Sequence, residues 1–240
     1  MKTLAVMSRK GGAGKTTVAV NLTLAARAMG IKAVLADADP LRSAGEVIRG
    51  RPEAAAILFE TTAFKLFALR EACARGGADL LIIDTPAAPE QDVAEAVKVA
   101  DLALAVARPT YLDLAAAVRS VAIIQQLGRE GMIVLNQCAP PRHGIEPPAV
   151  VKAFEALRFA DLPVTPTALR SRVVYQTAFA QGRSVLEIDR DGQASAEVRE
   201  LFGCVWKALG GERRAPMRSA NDDLRRPLAQ PGYAPTARSA

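Results

Sequence analysis

The chain has 240 residues, half of them apolar, which suits one large domain or two small ones and excludes a disordered, collagen-like or mini-protein chain over most of its length. No apolar run approaches the roughly 20 residues that span a bilayer, and Ser8-Arg9-Lys10-Gly11-Gly12 interrupts the start where a signal peptide needs its apolar stretch, so a cytoplasmic protein is expected. Half of the +6 net charge falls in residues 210–240, where six arginines face three acids, a balance that suits a polyanionic partner without specifying one.

In chain order, the apolar run Thr3–Met7 reads as a strand, and a glycine-rich turn leads from it into a helix at Lys15–Met29. Strands at Lys32–Ala36 and Ala56–Glu60 precede a helix at Ala63–Arg75. Then come a strand at Leu80–Ile83, a helix at Asp92–Ala100, a strand at Leu102–Ala107, a helix at Leu112–Leu127 and a strand at Met132–Leu135. A helix at Pro148–Phe159, a strand at Pro163–Pro166 and a helix at Val173–Gln181 follow. Runs such as Leu80-Leu81-Ile82-Ile83 are apolar throughout, as strands become when helices cover both faces. The expected fold is α/β: a single doubly wound, mainly parallel sheet with helices on both faces.

A last helix, Ser195–Leu209, carries Val198, Leu201, Phe202, Val205, Trp206 and Leu209 in one stripe. Gly210-Gly211 stops it, and four prolines with polar filler follow, so residues 1–209 are expected to form the domain and residues 210–240 a basic, proline-rich disordered tail. Three scattered cysteines, Cys73, Cys138 and Cys204, lack a Cys-x-x-Cys pair and indicate neither a disulfide framework nor a zinc knuckle.

The chemistry concentrates in three strand ends. Lys10-Gly11-Gly12-Ala13-Gly14-Lys15-Thr16-Thr17 follows the first strand and opens the first helix, the context of a phosphate-binding loop. There glycines let backbone N–H groups face phosphate oxygens, Lys15 supplies a mobile charge, and the Thr16 hydroxyl is placed to ligate magnesium. The strict G-x-x-x-x-G-K-[ST] pattern is broken by Arg9 at the first glycine position, and a second lysine, Lys10, stands in the loop instead. Asp37 and Asp39, two apart in Leu35-Ala36-Asp37-Ala38-Asp39-Pro40, point to one face if strand geometry persists. Asp84, after four apolar strand residues, has the Walker B arrangement, in which a carboxylate holds a magnesium-bound water beside Thr16.

These residues resemble the deviant Walker A motif of the ParA/MinD family of ATPases, and the likeness extends over nearly residues 1–209 through Arg108-Pro109-Thr110 and Thr167-Ala168-Leu169-Arg170. The resemblance, to the short ParA type, implies a P-loop fold, ATP and Mg2+ as cofactors, and slow, partner- and DNA-stimulated hydrolysis. It implies that Lys10 reaches the partner's phosphates across a nucleotide-sandwich homodimer, that Asp39 orients the attacking water and that Asp37 lies near the metal with Thr16 and Asp84. It places Asn136, at the end of Val134-Leu135-Asn136, on the adenine. It further implies non-specific DNA binding through Arg142, Arg170 and Arg172, a nucleoid-associated location, and a ParB-like or other cargo adaptor. No operator-reading helix-turn-helix is expected ahead of the first strand. Leu41 and Ala87-Ala88 depart from the family's usual glutamine and proline-serine, where a partner would trigger hydrolysis.

The sequence leaves rival readings open. A MinD-like membrane switch would use the last helix as a basic amphipathic anchor, a use that fails if that stripe packs on the sheet. An iron–sulfur reductase would need cysteines at the dimer axis, and a non-hydrolysing dimerisation switch would need only the nucleotide site.

Overall fold

The computed structural model describes residues 1–211; the expected tail therefore lies, from residue 212 onward, outside the described residues. Six parallel strands form one sheet in the order β3-β2-β4-β1-β5-β6. They are β1 (Lys2–Met7), β2 (Ala33–Asp37), β3 (Leu58–Glu60), β4 (Leu80–Asp84), β5 (Leu102–Ala107) and β6 (Gly131–Leu135). The helices are α1 (Lys15–Ala28), α2 (Ser43–Ile48), α3 (Ala54–Ile57), α4 (Leu66–Arg75), α5 (Glu90–Val99), α6 (Tyr111–Gln126), α7 (Pro148–Leu157), α8 (Val173–Ala180), α9 (Val185–Ile188) and α10 (Gln193–Ala208).

Strand alternation divides the core in two. On one face Leu4, Val6, Leu35, Leu80, Ile82, Leu104 and Val134 pack with α1 and α10. On the other, Ala5, Ala36, Leu81 and Ile83 meet α4 and α5, while Ala103, Ala105, Ile133 and Leu135 meet α6 and α7. The many alanines on this second face let its helices lie close to the sheet. Burial on both faces is why strands such as β4, β5 and β6 are apolar along most of their length, whereas the edge strand β3, Leu-Phe-Glu, is largely exposed.

The stripe on the last helix belongs to this core. Val198, Leu201, Phe202, Val205 and Leu209 are buried in the α1-side cluster, and Phe202 stacks on Trp206 with ring centroids 6.0 Å apart. Each such side chain contributes about 1.5–3 kcal/mol by leaving water. The amphipathic face that a membrane anchor would need is therefore occupied by the fold.

Two expected elements differ. The strand expected at Pro163–Pro166 is a single bridge of Val164 to Ile133, with Thr165 N–H donating to Ile133 O at 2.8 Å. Proline lacks the N–H a ladder needs, and two of them bracket this segment. The strand expected from Ala56 begins at Leu58, because Ala54–Ile57 makes one helical turn first. Neither α2 nor α9 follows from apolar period, although α9 carries a capping box, with Ser184 and Glu187 side chains each bonded to the other's end of the turn.

Candidate functional site

The central strand β1 delivers the glycine-rich loop to the carboxyl edge of the sheet, where open α/β folds hold ligands. Gly12 at φ +75° and Gly14 at φ +92° take left-handed turns that other residues adopt only under strain. No side chain caps α1 at Gly14, so the N–H groups of its first turn are left for an anion. Two amides from the end of β6 hold the loop from outside. Asn136 Nδ2 donates to Ala13 O at 2.8 Å, and Gln137 Nε2 donates to Gly12 O at 2.9 Å. Asn136, assigned to the adenine from the resemblance, thus has a bond to the phosphate loop itself.

Lys15 is buried at the start of α1. Burial pushes its pKa down, while Asp84 and Asp39 push it back up, as expected for an ammonium kept close to the acids rather than in water. Asp37 and Asp84 end adjacent strands and are register partners, both fully buried. Their hydrogen bonding is opposite. Asp37 accepts from Gly45 N at 2.9 Å and from Asp39 N at 3.2 Å, so its carboxylate closes the turn into α2, and Arg42 binds its carbonyl oxygen. Neither carboxylate oxygen of Asp84 has a hydrogen-bond partner. Burial pushes the Asp84 carboxyl up to about 7, against the opposing influence of the nearby Thr16 hydroxyl. Asp39 is half-buried at the rim, one oxygen accepting from Leu41 N at 3.0 Å.

A buried acid without a partner, next to a hydroxyl and a lysine, fits a hydrated divalent cation on a bound phosphate. Thr16 and Asp84 are the residues that would hold it. Asp37, expected in the same neighbourhood, has both oxygens engaged within the chain.

Lys10 is already engaged. Its Nζ donates to Asp113 Oδ2 at 2.7 Å, and Arg108 Nε donates to the other oxygen at 2.9 Å, with the Thr110 hydroxyl as a third donor. Burial would raise the Asp113 pKa, but these three bonds outweigh it and hold the carboxyl below its usual range. Asp113 carries no role in the sequence motifs. The only local signal for it is Thr110-x-x-Asp113, a helix-start pattern, and Thr110 does cap α6 by accepting from Asp113 N at 3.4 Å.

The three arginines expected on DNA fall in two states. Arg142 is exposed in a tight turn closed by Arg142 N to Ile145 O at 3.0 Å and Ile145 N to Arg142 O at 2.9 Å, and it forms no ion pair among the described residues. Arg170 is mostly buried, forked onto both oxygens of Glu146, and Arg172 NH2 lies 2.6 Å from Glu197 Oε1.

A glycine loop between a parallel strand and a helix, with a buried acid at the end of the neighbouring strand, defines a P-loop nucleotide-binding protein. Residues 4–159 match the CobQ/CobB/MinD/ParA nucleotide binding domain, and the chain belongs to that family. Its ParA and MinD branches are ATPases. The chain is similar to "Maintenance of carboxysome distribution protein A" of Gloeobacter kilaueensis, 34% identical over 78% of this chain and 84% of the relative. Its fold is similar to that of apo McdA from Cyanothece, with a TM-score of 0.70 at 21% identity, covering 88% of this chain and 100% of the other. It is also similar to that of the septum site-determining protein MinD of Pyrococcus horikoshii, complexed with Mg-ADP, with a TM-score of 0.71 at 20% identity over 87% of this chain and 97% of that one. Among the described residues no helix is long and apolar enough to cross a membrane.

Proposed function

We propose that the protein is a ParA-type ATPase that positions a cargo: it binds ATP with magnesium, dimerises around the nucleotide, holds DNA non-specifically as a dimer, and lets go when an adaptor stimulates hydrolysis. The observation that carries this reading is the second loop lysine, Lys10, held at the rim of the phosphate site by a buried acid of α6. A cation in that place adds little to its own site but can neutralise phosphoryl charge on a facing copy, as an arginine finger does. The relative named for carboxysome distribution favours a protein assembly as the cargo over a plasmid.

In this reading Lys15 and the α1 N-terminus bind and orient the phosphates, while Thr16 and Asp84 hold the magnesium. The metal, when bound, neutralises charge on the phosphate oxygens. Asp39, at the rim with one oxygen turned to Leu41, orients water, and Asn136 with Gln137 keeps the loop in shape. A slow cycle suits a switch, since Lys10 acts only in a formed dimer. Exposed cations, Arg142 first, contact DNA phosphates in a nucleoid-associated state.

The test is binding to random-sequence duplex DNA with ATP, with ADP and without nucleotide, at two salt concentrations, for wild type and Lys10→Ala. Salt-sensitive binding confined to ATP and abolished in the variant is expected. Binding that ignores nucleotide would contradict the cycle, as would ATP-dependent sedimentation with anionic liposomes in place of DNA binding.

A further inference from the structure

The connection from β6 to α7 projects from the carboxyl edge of the sheet, and its shape depends on a distant segment. At its start, Cys138 pairs with the extended stretch before α8: Cys138 N donates to Leu169 O at 3.0 Å and Ser171 N donates to Cys138 O at 2.8 Å. At its tip, His143 at φ +50° and Gly144 at φ +76° make a two-residue turn of the left-handed kind that joins tight hairpins. This fixes Arg142 at one shoulder and Glu146 just past the other. At its end, the Arg170 guanidinium forks onto Glu146, with the NH2 to Oε2 bond at 2.9 Å, and also donates to Ala139 O at 3.1 Å. One planar group therefore ties both legs of the loop to the body of the protein.

Arg170 is in turn fixed from behind. Its backbone N–H donates to Glu197 Oε2 at 3.0 Å, and the other oxygen of that carboxylate holds Arg172 at 2.6 Å. The Arg170 side chain is only 13% exposed and its fork is filled, so it has little left to offer a phosphate. Arg142 is the reverse: exposed and without an ion pair among the described residues.

We propose that Arg170 is a positioning residue rather than a DNA contact: its fork onto Glu146 and Ala139 clasps the 139–147 loop so that Arg142 is presented to a nucleic-acid phosphate. The proposal rests on the DNA-binding reading and assigns separate tasks to residues that sequence resemblance treats alike. It also inverts the expectation for Glu146. If all nearby charges acted through the field alone, removing that acid would strengthen DNA binding. If Glu146 is half of the clasp, removing it weakens binding.

The experiment measures ATP-dependent affinity for random-sequence duplex DNA across a salt series, with amide hydrogen exchange at Arg142 and Ile145 as a second readout. Arg142→Ala is expected to weaken binding several-fold and to reduce the slope of log affinity on log salt by about 0.9 for each phosphate that is no longer neutralised. Arg170→Lys keeps the charge and removes the fork, and Glu146→Gln keeps the shape and removes the charge. Both are expected to weaken binding several-fold and to speed exchange at the turn. Tighter binding by Glu146→Gln or unchanged binding by Arg170→Lys would overturn the clasp. Failure of the wild-type protein to bind DNA with ATP would instead overturn the DNA reading and with it the presentation of Arg142, while the exchange rates would still decide whether Arg170 holds the loop.

Discussion

The two halves of the carboxyl edge are built on opposite principles. Around β1 and β4, groups that a ligand could use are left open: α1 starts uncapped and both oxygens of Asp84 go unmatched, with Lys15 buried close to the acids. Around β6 and α8 the charged side chains are paired within the chain, Arg170 to Glu146 and Arg172 to Glu197, although Arg172 Nε and the Tyr175 hydroxyl are buried without a hydrogen-bond partner. An acid buried with neither oxygen matched costs more than an unmatched hydroxyl or one open N–H of a paired guanidinium, and a ligand cation at Asp84 would offset that cost. The first half is thus arranged to bind, the second to hold a loop in place, with Arg142 its open cation.

Breaking the first half at its charge should have the largest effect. Lys15→Ala is expected to lower ATP turnover by about 10²–10³-fold with little change in thermal stability, since the lysine serves the phosphates rather than the core. A coupled assay of phosphate release checks this.

The unmatched acid has a thermodynamic signature. In the ligand-free fold Asp84 holds its proton up to about pH 7, whereas the unfolded chain releases it near 4. The folded state therefore binds more protons between those values, and ionising Asp84 removes stability as pH rises. Asp84→Asn cannot ionise. With metal and nucleotide removed, it should melt close to wild type near pH 4 and above wild type at pH 8, by on the order of 1–4 kcal/mol. Equal melting at both pH values would mean that the acid is not held out of water.

Where the two halves touch, the packing is tight. A Cβ on Gly14 would collide with the Asn136 amide, and the backbone there is left-handed, so Gly14→Ala should cost about 2–3 kcal/mol and release the Asn136 bond to Ala13. Denaturant titration measures it.

The smallest expected effect comes from the network that borders both halves. Because its partners hold the Asp113 pKa down, this acid adds stability above the unfolded value near 4, and that stability disappears as pH falls through the folded value. Asp113→Asn should therefore cost about 1–2 kcal/mol at pH 7, discounted for the partial exposure of Lys10 and Arg108, and progressively less as pH falls below about 4; thermal melts over that range measure the difference.

The first half was legible in the sequence because its parts are local: a glycine loop between one strand and one helix, and acids at the ends of apolar runs. The parallel sheet and its two covered faces followed from the same apolar runs. What stayed hidden was tertiary. Lys10 and Asp113 are far apart in the chain, as are Asn136 and Ala13, and nothing in either neighbourhood names the other. Arg170 and Arg172 were expected on DNA by resemblance, and the sequence does not show that Glu146 and Glu197 come beside them through packing. Asp37 and Asp84 look alike in sequence, and only the turn into α2 separates the satisfied acid from the open one.

The claim that the first half is open for a nucleotide and its metal is tested most directly by calorimetric titration of ATP, with and without magnesium, into wild type and Asp84→Asn. Magnesium should tighten ATP binding to wild type by about tenfold or more, roughly 1.4 kcal/mol, and should leave the variant nearly unchanged. The same magnesium dependence in both proteins, or no ATP binding by wild type, would contradict it.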